Sequence, residues 1–379
     1  MEFELTEEQK MLQQMARNFA KGYILPGIRE RDAKGEFPAE IIEELGKLGF
    51  MGVLIPEAYG GAGMDAMSLA IVIEELARID ASVAITVAAH NSLCTNHIYT
   101  FGTEEQRRKY VVPLAIGKEL GAWSLTESNA GSDAASIEST AVLSGDKWVL
   151  NGTKIFVSQG STADIYVVMA VTERTKGRQG ISAFIVEKGT SGLSVGKKED
   201  KLGLRTSDTA SIILEDCRIP VENLLGDVNS GYQDVLKILD GGRIGIGAMA
   251  VGIGSAALEE SMEYAKKRMQ FGKPIAEFQA IQWMLADMAT ELDAARLLVY
   301  KAAYLKTNGL SFTKEASQAK LFASEVGMRA ATKAVQIFGG HGYIKDYPVE
   351  RFFRDVKICE IGEGTSEIQR LVISRELLK

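Results

Sequence analysis

The chain has little cysteine, little proline, few histidines and no surplus of positive charge, and each shortage excludes something. Its three cysteines, Cys94, Cys217 and Cys359, are far apart and odd in number. No C-x-x-C pair exists among them, which removes a zinc ribbon or thioredoxin-type motif and leaves free thiols in a reducing compartment as the expectation. Only His90, His97 and His341 are present, with no recognisable ligand set around them, so no metal is expected. His90 and Asn91 remain candidates for lining a substrate cavity. Seven prolines in 379 residues leave no Pro-rich linker. A net charge of −7 argues against a nucleic-acid partner, whose phosphates need a basic face. The opening Met1-Glu2-Phe3-Glu4 is acidic where a signal or transit peptide would be basic. No apolar run reads as the roughly 18–20 residues of a bilayer span. A soluble, cytoplasmic protein with no membrane contact is expected. No G-x-S-x-G elbow is present either.

The bulk composition is ordinary: 46% hydrophobic, 25% charged, 38 glycines, in a chain long enough for two or three domains. Thr6 and Gln9 have capping-box spacing, followed by Met11, Leu12, Met15 and Phe19 at helical intervals. Ile41, Ile42, Leu45 and Leu48 predict a second helix ending at Gly49, and Tyr59-Gly60-Gly61-Ala62-Gly63 predicts a loop before a helix through Leu69, Val72, Ile73, Leu76 and Ala77. From about Gly121 the period changes. Lys147–Leu150 and Lys154–Val157 flank Asn151-Gly152 as two strands would flank a hairpin turn. Further Val/Ile-rich runs at Ile165–Val171, Ile181–Val186 and Ala210–Leu214 have no helix between them, which favours an antiparallel sheet or barrel. After Gly231 long amphipathic segments return at 232–265, 275–307 and 313–338, as in a helical bundle. The expected fold is α+β: an N-terminal α-helical domain (1–118), a central antiparallel β-barrel domain (119–228) and a C-terminal four-helix bundle (229–379). Gly252-Ile253-Gly254-Ser255-Ala256-Ala257 imitates a dinucleotide fingerprint, but it lies inside a helical stretch and reads as close helix packing.

Near the C-terminus, Ile361-Gly362-Glu363-Gly364-Thr365-Ser366-Glu367-Ile368-Gln369-Arg370 reads as a loop feeding a last helix, with Thr365 or Ser366 as its cap. Alone, that motif makes Glu363 an ordinary loop carboxylate. Three other pieces change its meaning. Trp123-Ser124-Leu125-Thr126-Glu127-Ser128-Asn129-Ala130-Gly131-Ser132-Asp133 resembles the F-x-L-T-E-P-x-x-G-S-D signature of acyl-CoA dehydrogenases. Arg268-Met269-Gln270-Phe271-Gly272-Lys273-Pro274 resembles that family's R-x-x-F-G-x-P element, and Gln336-Ile337-Phe338-Gly339-Gly340-His341-Gly342-Tyr343 its Q-x-x-G-G-x-G-Y/F element. Glu363-Gly364-Thr365-Ser366 is similar to its E-G-T-S/N element. The pieces stand in the family's order along the whole chain, which looks closest to bacterial short-chain, butyryl-CoA dehydrogenase-like members.

The resemblance implies FAD held between the β segment and the helical bundle of a homotetramer, a neighbouring subunit completing the site. Carried over by position, Leu125, Thr126 and Ser132 would line the flavin side, with Ser132 also facing substrate. Phe156 stands where Trp is usual and Ser158 where Thr or Ser is, both beside the flavin ring. Arg268, Phe271, Gln336 and Gly340 would hold pyrophosphate and adenosine across the subunit boundary, and Thr365 and Glu367 would approach the adenosine end. Asp240 and Arg243 resemble the substrate-side pair, Arg243 toward CoA, with Gly364 also on the substrate side. From the residues alone, Asp240 and Arg243 equally form a plain i, i+3 helix pair.

Glu363 is the implied catalytic base. It would take the α-proton of an acyl-CoA thioester while the β-hydrogen leaves as hydride, yielding the 2,3-enoyl-CoA, with electrons passed to electron-transferring flavoprotein. Desolvation in a filled cavity would raise its pKa toward about 6–7, and reacting atoms would sit roughly 3–3.5 Å apart. Family members that place the base beside the substrate Arg would need a carboxylate at Gly242, which has none. Three departures stand out: Gly362 where Tyr is common, Ser128 where Pro is usual, and Phe156 for Trp. Gly362 is read as room for a branched or cyclic acyl group. An enoyl-CoA reductase running in reverse, an acyl-CoA oxidase and a non-catalytic flavin- or CoA-binding subunit are the alternatives.

Overall fold

The computed structural model describes residues 4–379; the reading of the first three residues lies outside them. Helix α1 (Glu7–Phe19) starts with the expected capping box, the Thr6 hydroxyl accepting from the Gln9 N–H at 3.2 Å and the Gln9 amide oxygen accepting from the Thr6 N–H at 3.1 Å. It buries Leu12, Ala16 and Phe19, while Met11 is 72% exposed and Met15 also faces out, so the inward stripe is narrower than the apolar spacing implied. Helix α2 (Ala39–Lys47) ends at Gly49, whose φ of 78° lets Phe50 N–H close back on the Leu45 carbonyl. The glycine loop is required by close approach, since a β-carbon on Gly61 would lie 2.0 Å from the Ile55 carbonyl oxygen. Helices α3 (Ala66–Ala77) and α4 (Ala81–Ala89) are capped by Asp65 and Asp80.

The β segment contains β1 (Gly121–Ser124), β2 (Thr140–Ser144), β3 (Lys147–Ser158), β4 (Ile165–Val171), β5 (Ile181–Glu187), β6 (Leu193–Lys198), β7 (Thr209–Pro220) and β8 (Leu224–Leu225). Two expectations are corrected here. Asn151-Gly152 is not a hairpin turn: β3 runs straight through it, and the register against β7 slips between Leu150 and Gly152 as a bulge. Gly152 has φ 146°, and a β-carbon there would lie 2.2 Å from Ser139 Oγ, so only glycine fits this position. The turn into β3 is at Gly145-Asp146 instead. Nor is the sheet a closed antiparallel barrel. It follows the open order β6-β7-β3-β2-β4-β5-β8, with β1 parallel to β4 from Gly121↔Ile165 to Ser124↔Val168. A parallel pair needs a long crossover, and the β2–β3 hairpin supplies it.

Helix α5 (Gly231–Lys267) is the axis of the C-terminal region, packed by α6 (Gln279–Thr307), α7 (Thr313–Phe338), α8 (Val349–Val356) and α9 (Ser366–Leu377). It is long and apolar enough to cross a bilayer, contrary to the sequence expectation, but 94% of that apolar stretch is buried inside the fold, as in a core helix. The dinucleotide imitation lies within it. Gly252 lets α3 approach, a β-carbon there falling 2.3 Å from the Glu74 carbonyl oxygen, and Gly254 admits Leu292. Buried Glu74 bonds Arg296 Nε at 3.0 Å, which ties α3 to α6.

Candidate active site

The connection between Cys359 and α9 carries the candidate base. Glu363 has φ 53° and Gly364 φ 94°, so the chain reverses in two left-handed steps. A side-chain-bearing residue in that region costs on the order of 1–3 kcal/mol and persists only where its surroundings hold it. The Gln369 amide donates to the Gly364 carbonyl at 2.9 Å and the Glu363 carbonyl at 3.3 Å, and Lys320 Nζ donates to the Gly364 carbonyl at 2.6 Å. Thus pinned, Glu363 extends over α5 into the notch left by Gly242. A β-carbon on Gly242 would lie 2.0 Å from Glu363 Oε2 and 3.1 Å from Leu93 Cδ2. The position that lacks a carboxylate in the sequence is therefore filled by one in space. Beside it Ala89, Leu93 and Ile238, with Phe101, Trp123 and Leu239, form an apolar patch.

Glu363 Oε2 is shut off from solvent and has no hydrogen-bond partner. Burial pushes the carboxyl up to about 7, against the opposing positive charges of Lys320 and Arg243. A carboxylate near neutrality, free of partners and flanked by apolar surface, can exchange a proton with a carbon acid at physiological pH. Arg243 is buried on α5, 2.5 Å from Asp240 Oδ1 and 3.2 Å from Ser317 Oγ, with its Nε unpartnered. Asp240 also accepts from the Thr313 hydroxyl at 2.6 Å. The helix pair is real, and the positive charge of Arg243 also acts on Glu363, opposing the rise of its carboxyl.

On the β segment, Phe156 sits at a second bulge of β3, where pairing with β7 slips between Lys154 and Val157. Its φ of 55° turns the ring outward, 61% exposed, and the Ile155 N–H leaves the ladder to bond the Thr126 carbonyl at 2.9 Å. That bond ties the Leu125-Thr126 segment to the bulge next to Phe156. Leu125 is buried, Thr126 and Ser158 are half-buried, and Ser132 is exposed on the same loop. A flat exposed ring on a re-aimed strand, edged by hydroxyls, fits one face of an isoalloxazine. Beneath it Lys154 and Glu127 form a buried ion pair of 2.7 Å; Lys154 also donates to the Leu125 carbonyl, and Glu127 accepts from the Ser139 N–H at 3.0 Å. Burial lowers Lys154 to about 8 even so.

Arg268, Phe271, Gln336 and Gly340 lie elsewhere on the surface. Strands β9 (Met269–Gln270) and β10 (Lys273–Pro274) make a small hairpin with Phe271 at its tip, φ 51° and 93% exposed. Arg268 and Gly340 line a cleft of about 330 Å³ with Tyr264, Phe338 and His341. Among the described residues no hydrogen bond joins these four to the β segment. Thr365 and Glu367 border a cleft of about 320 Å³ with Lys357 and Arg370, and the Thr365 hydroxyl caps α9 by accepting from the Ile368 N–H at 3.3 Å.

His90 and Asn91 are corrected as cavity residues. His90 accepts from the Gly121 N–H at Nδ1 and faces the Leu114 carbonyl with Nε2, while Asn91 bonds Val53, Phe50 and Val87; both are fully buried scaffold. No metal-holding cluster occurs among the described residues. Sequence reasoning missed Lys320, Gln369 and the Glu127–Lys154 pair. A lone Lys amid Ala316, Ala319 and Ala323 was the available signal for the first.

A buried, unpartnered carboxyl raised to about 7 beside an apolar patch is equipped to exchange a proton with a carbon acid, and the exposed Phe156 ring on the β segment is compatible with the flavin that the family resemblance implies. Models of the acyl-CoA dehydrogenase N-terminal, middle and C-terminal domains match residues 6–118, 122–217 and 229–378, and the chain belongs to the acyl-CoA dehydrogenase family. A short-chain specific acyl-CoA dehydrogenase of Clostridium acetobutylicum is 50% identical over 379 residues, all of both chains. The butyryl-CoA dehydrogenase of Megasphaera elsdenii superposes with a TM-score of 0.98 at 48% identity, and a chain solved in work on the electron transferring flavoprotein of Acidaminococcus fermentans with 0.99 at 50%, each covering 100% of both chains. The protein is an FAD-dependent enzyme that dehydrogenates acyl-CoA.

Proposed function

We propose that Glu363 abstracts the α-proton of a short-chain acyl-CoA, with room for a branched or cyclic acyl group, to form the 2,3-enoyl-CoA, and that the electrons pass to an electron-transferring flavoprotein. The observation that carries the assignment is the unpartnered Glu363 carboxyl in the Gly242 notch, lifted by burial to about 7. Ionised, it receives the proton; the apolar patch of Ala89, Leu93 and Ile238 accepts the acyl chain and excludes water. The Glu363 N–H makes no hydrogen bond among the described residues and is free to donate to the thioester oxygen as charge develops there. Bound FAD supplies the hydride acceptor. Leu125, Thr126, Ser132, Phe156 and Ser158 would hold its ring, and Thr365 and Glu367 its adenosine end. Asp240 and Arg243 order the floor under the substrate.

The exposed Phe271, with Trp283, Leu297 and Tyr304 exposed along α6, supports a homotetramer in which Arg268, Phe271, Gln336 and Gly340 reach a neighbour's cofactor. Three buried free cysteines support a cytoplasmic location.

The test is anaerobic bleaching of the yellow holoenzyme by butyryl-, isobutyryl- and cyclohexanecarboxyl-CoA, with and without Glu363→Gln. Undiminished bleaching in the variant removes Glu363 as base; rapid recolouring in air marks an oxidase, and colour that no thioester discharges marks a binding subunit. A β-carbon at Gly362 meets nothing closer than 3.5 Å, so Gly362→Tyr is tolerated by the backbone. It should suppress the bulky substrates while sparing butyryl-CoA; equal loss on all three rejects the branched or cyclic reading.

A further inference from the structure

Helix α7 presents a buried face of small residues to its neighbours, Ala316, Ser317, Ala319, Ala323 and Ser324, and among them stands Lys320, 0% exposed. Its Nζ makes one hydrogen bond, to the Gly364 carbonyl at 2.6 Å, and no ion pair among the described residues. An ammonium buried without a carboxylate partner is costly, and a packing role alone would be served better by an aliphatic side chain. The charged and titratable groups around it are few. Glu363 and Glu360 lie on the connection to α9 with Cys359, and Arg243 with its partner Asp240 lies on α5. Burial pulls Lys320 down to about 8, so below that it remains a cation beside the base.

We propose that Lys320 is a positioning residue for the base: it anchors the Gly364 carbonyl, so holding the left-handed turn at Glu363, and its charge biases the neighbouring carboxyl toward the ionised form. The two effects act through one atom. Gln369 shares the first, donating to the same carbonyl at 2.9 Å, but it is neutral and has no part in the second. Arg243 contributes charge from the other side, yet is already neutralised in part by Asp240 at 2.5 Å. Lys306 acts on Asp240 rather than on Glu363, so among the described residues Lys320 is the cation acting on Glu363 that has no ion pair. The inference rests on Glu363 being the base.

The experiment follows flavin bleaching by butyryl-CoA in single turnover from pH 5.5 to 9, in the holoenzyme and in Lys320→Met and Lys320→Arg. Only the ionised carboxylate accepts a proton, so the wild-type rate rises through its midpoint. Removing a nearby opposite charge raises a carboxyl pKa by about one unit or more. Lys320→Met should therefore move the midpoint up by about one unit, losing roughly tenfold at pH 6 and little at pH 9. Lys320→Arg, which keeps the charge, should keep the midpoint. A uniform loss at every pH, or an equal shift in both variants, overturns the proposal. Where Lys320→Met does not fold, Lys320→Gln, neutral but still a donor, replaces it under the same criteria. Glu363→Gln run in parallel separates the two claims: if it bleaches normally the base assignment fails, whereas a dead Glu363→Gln with an unshifted Lys320→Met defeats only the role of Lys320.

Discussion

Of the residues with large side chains held at left-handed φ, Glu363 and Phe271 are supported in opposite ways. Glu363 at φ 53° is clamped from within by Lys320 and Gln369, and its side chain fills a notch made for it by Gly242. Phe271 at φ 51° caps a two-residue-per-strand hairpin, and its ring stands 93% in water with only an edge contact to Phe278 at 6.0 Å. Strain of about 1–3 kcal/mol is offset in the first case by hydrogen bonds inside the subunit. In the second the two-strand hairpin closes the turn, but almost no side chain packs on the ring. The same backbone anomaly thus marks one loop held by side chains of its own subunit and one whose large side chain is left in solvent, as the proposed homotetramer would require.

The comparison is broken most severely by removing the reactive group of the complete loop. Glu363→Gln should keep the turn and the fold but slow flavin bleaching by ~10²–10⁴-fold, as loss of a general base does; stopped-flow absorbance reads it. Next comes the notch. Gly242→Ala puts a β-carbon where Oε2 lies, so the carboxylate must shift, and a displacement of that order should cost about 10²-fold in rate. Normal bleaching in that variant would mean the carboxylate acts from another position. The smallest effect on the subunit belongs to the incomplete loop. Phe271→Ala should alter subunit stability by less than about 0.5 kcal/mol, since almost nothing packs on it, yet shift sedimentation toward smaller species and weaken FAD retention on dilution. Unchanged assembly and cofactor would show that Phe271 has no partner to find.

The helical frame was readable because apolar spacing, caps and glycine stops act locally: Thr6 with Gln9, Gly49, and the long segments of α5, α6 and α7 are where the pattern puts them. The errors came from signals that tertiary pairing overrules. Asn151-Gly152 has turn chemistry, but continuous pairing of β3 with β7 turned it into a bulge. Strand β1 was missed because a four-residue run beside β4 is defined by its partner and hardly by its own composition. His90 and Asn91 looked available in sequence and proved to be consumed by backbone groups of distant segments.

By itself the sequence determined the order of helical and β regions, since that depends on residue type and short-range spacing, and it shows that Gly242 bears no carboxylate; Glu363 was singled out as candidate base by the family resemblance. The tertiary structure supplied the burial behind the expected lift of Glu363, and it alone decided that Gly242 is the socket for the carboxylate and that Lys320 bonds the adjoining Gly364 carbonyl. Those properties arise from burial and from charges brought together across about 120 residues of chain, from α5 through α7 to the last loop, and no local pattern encodes a dielectric environment.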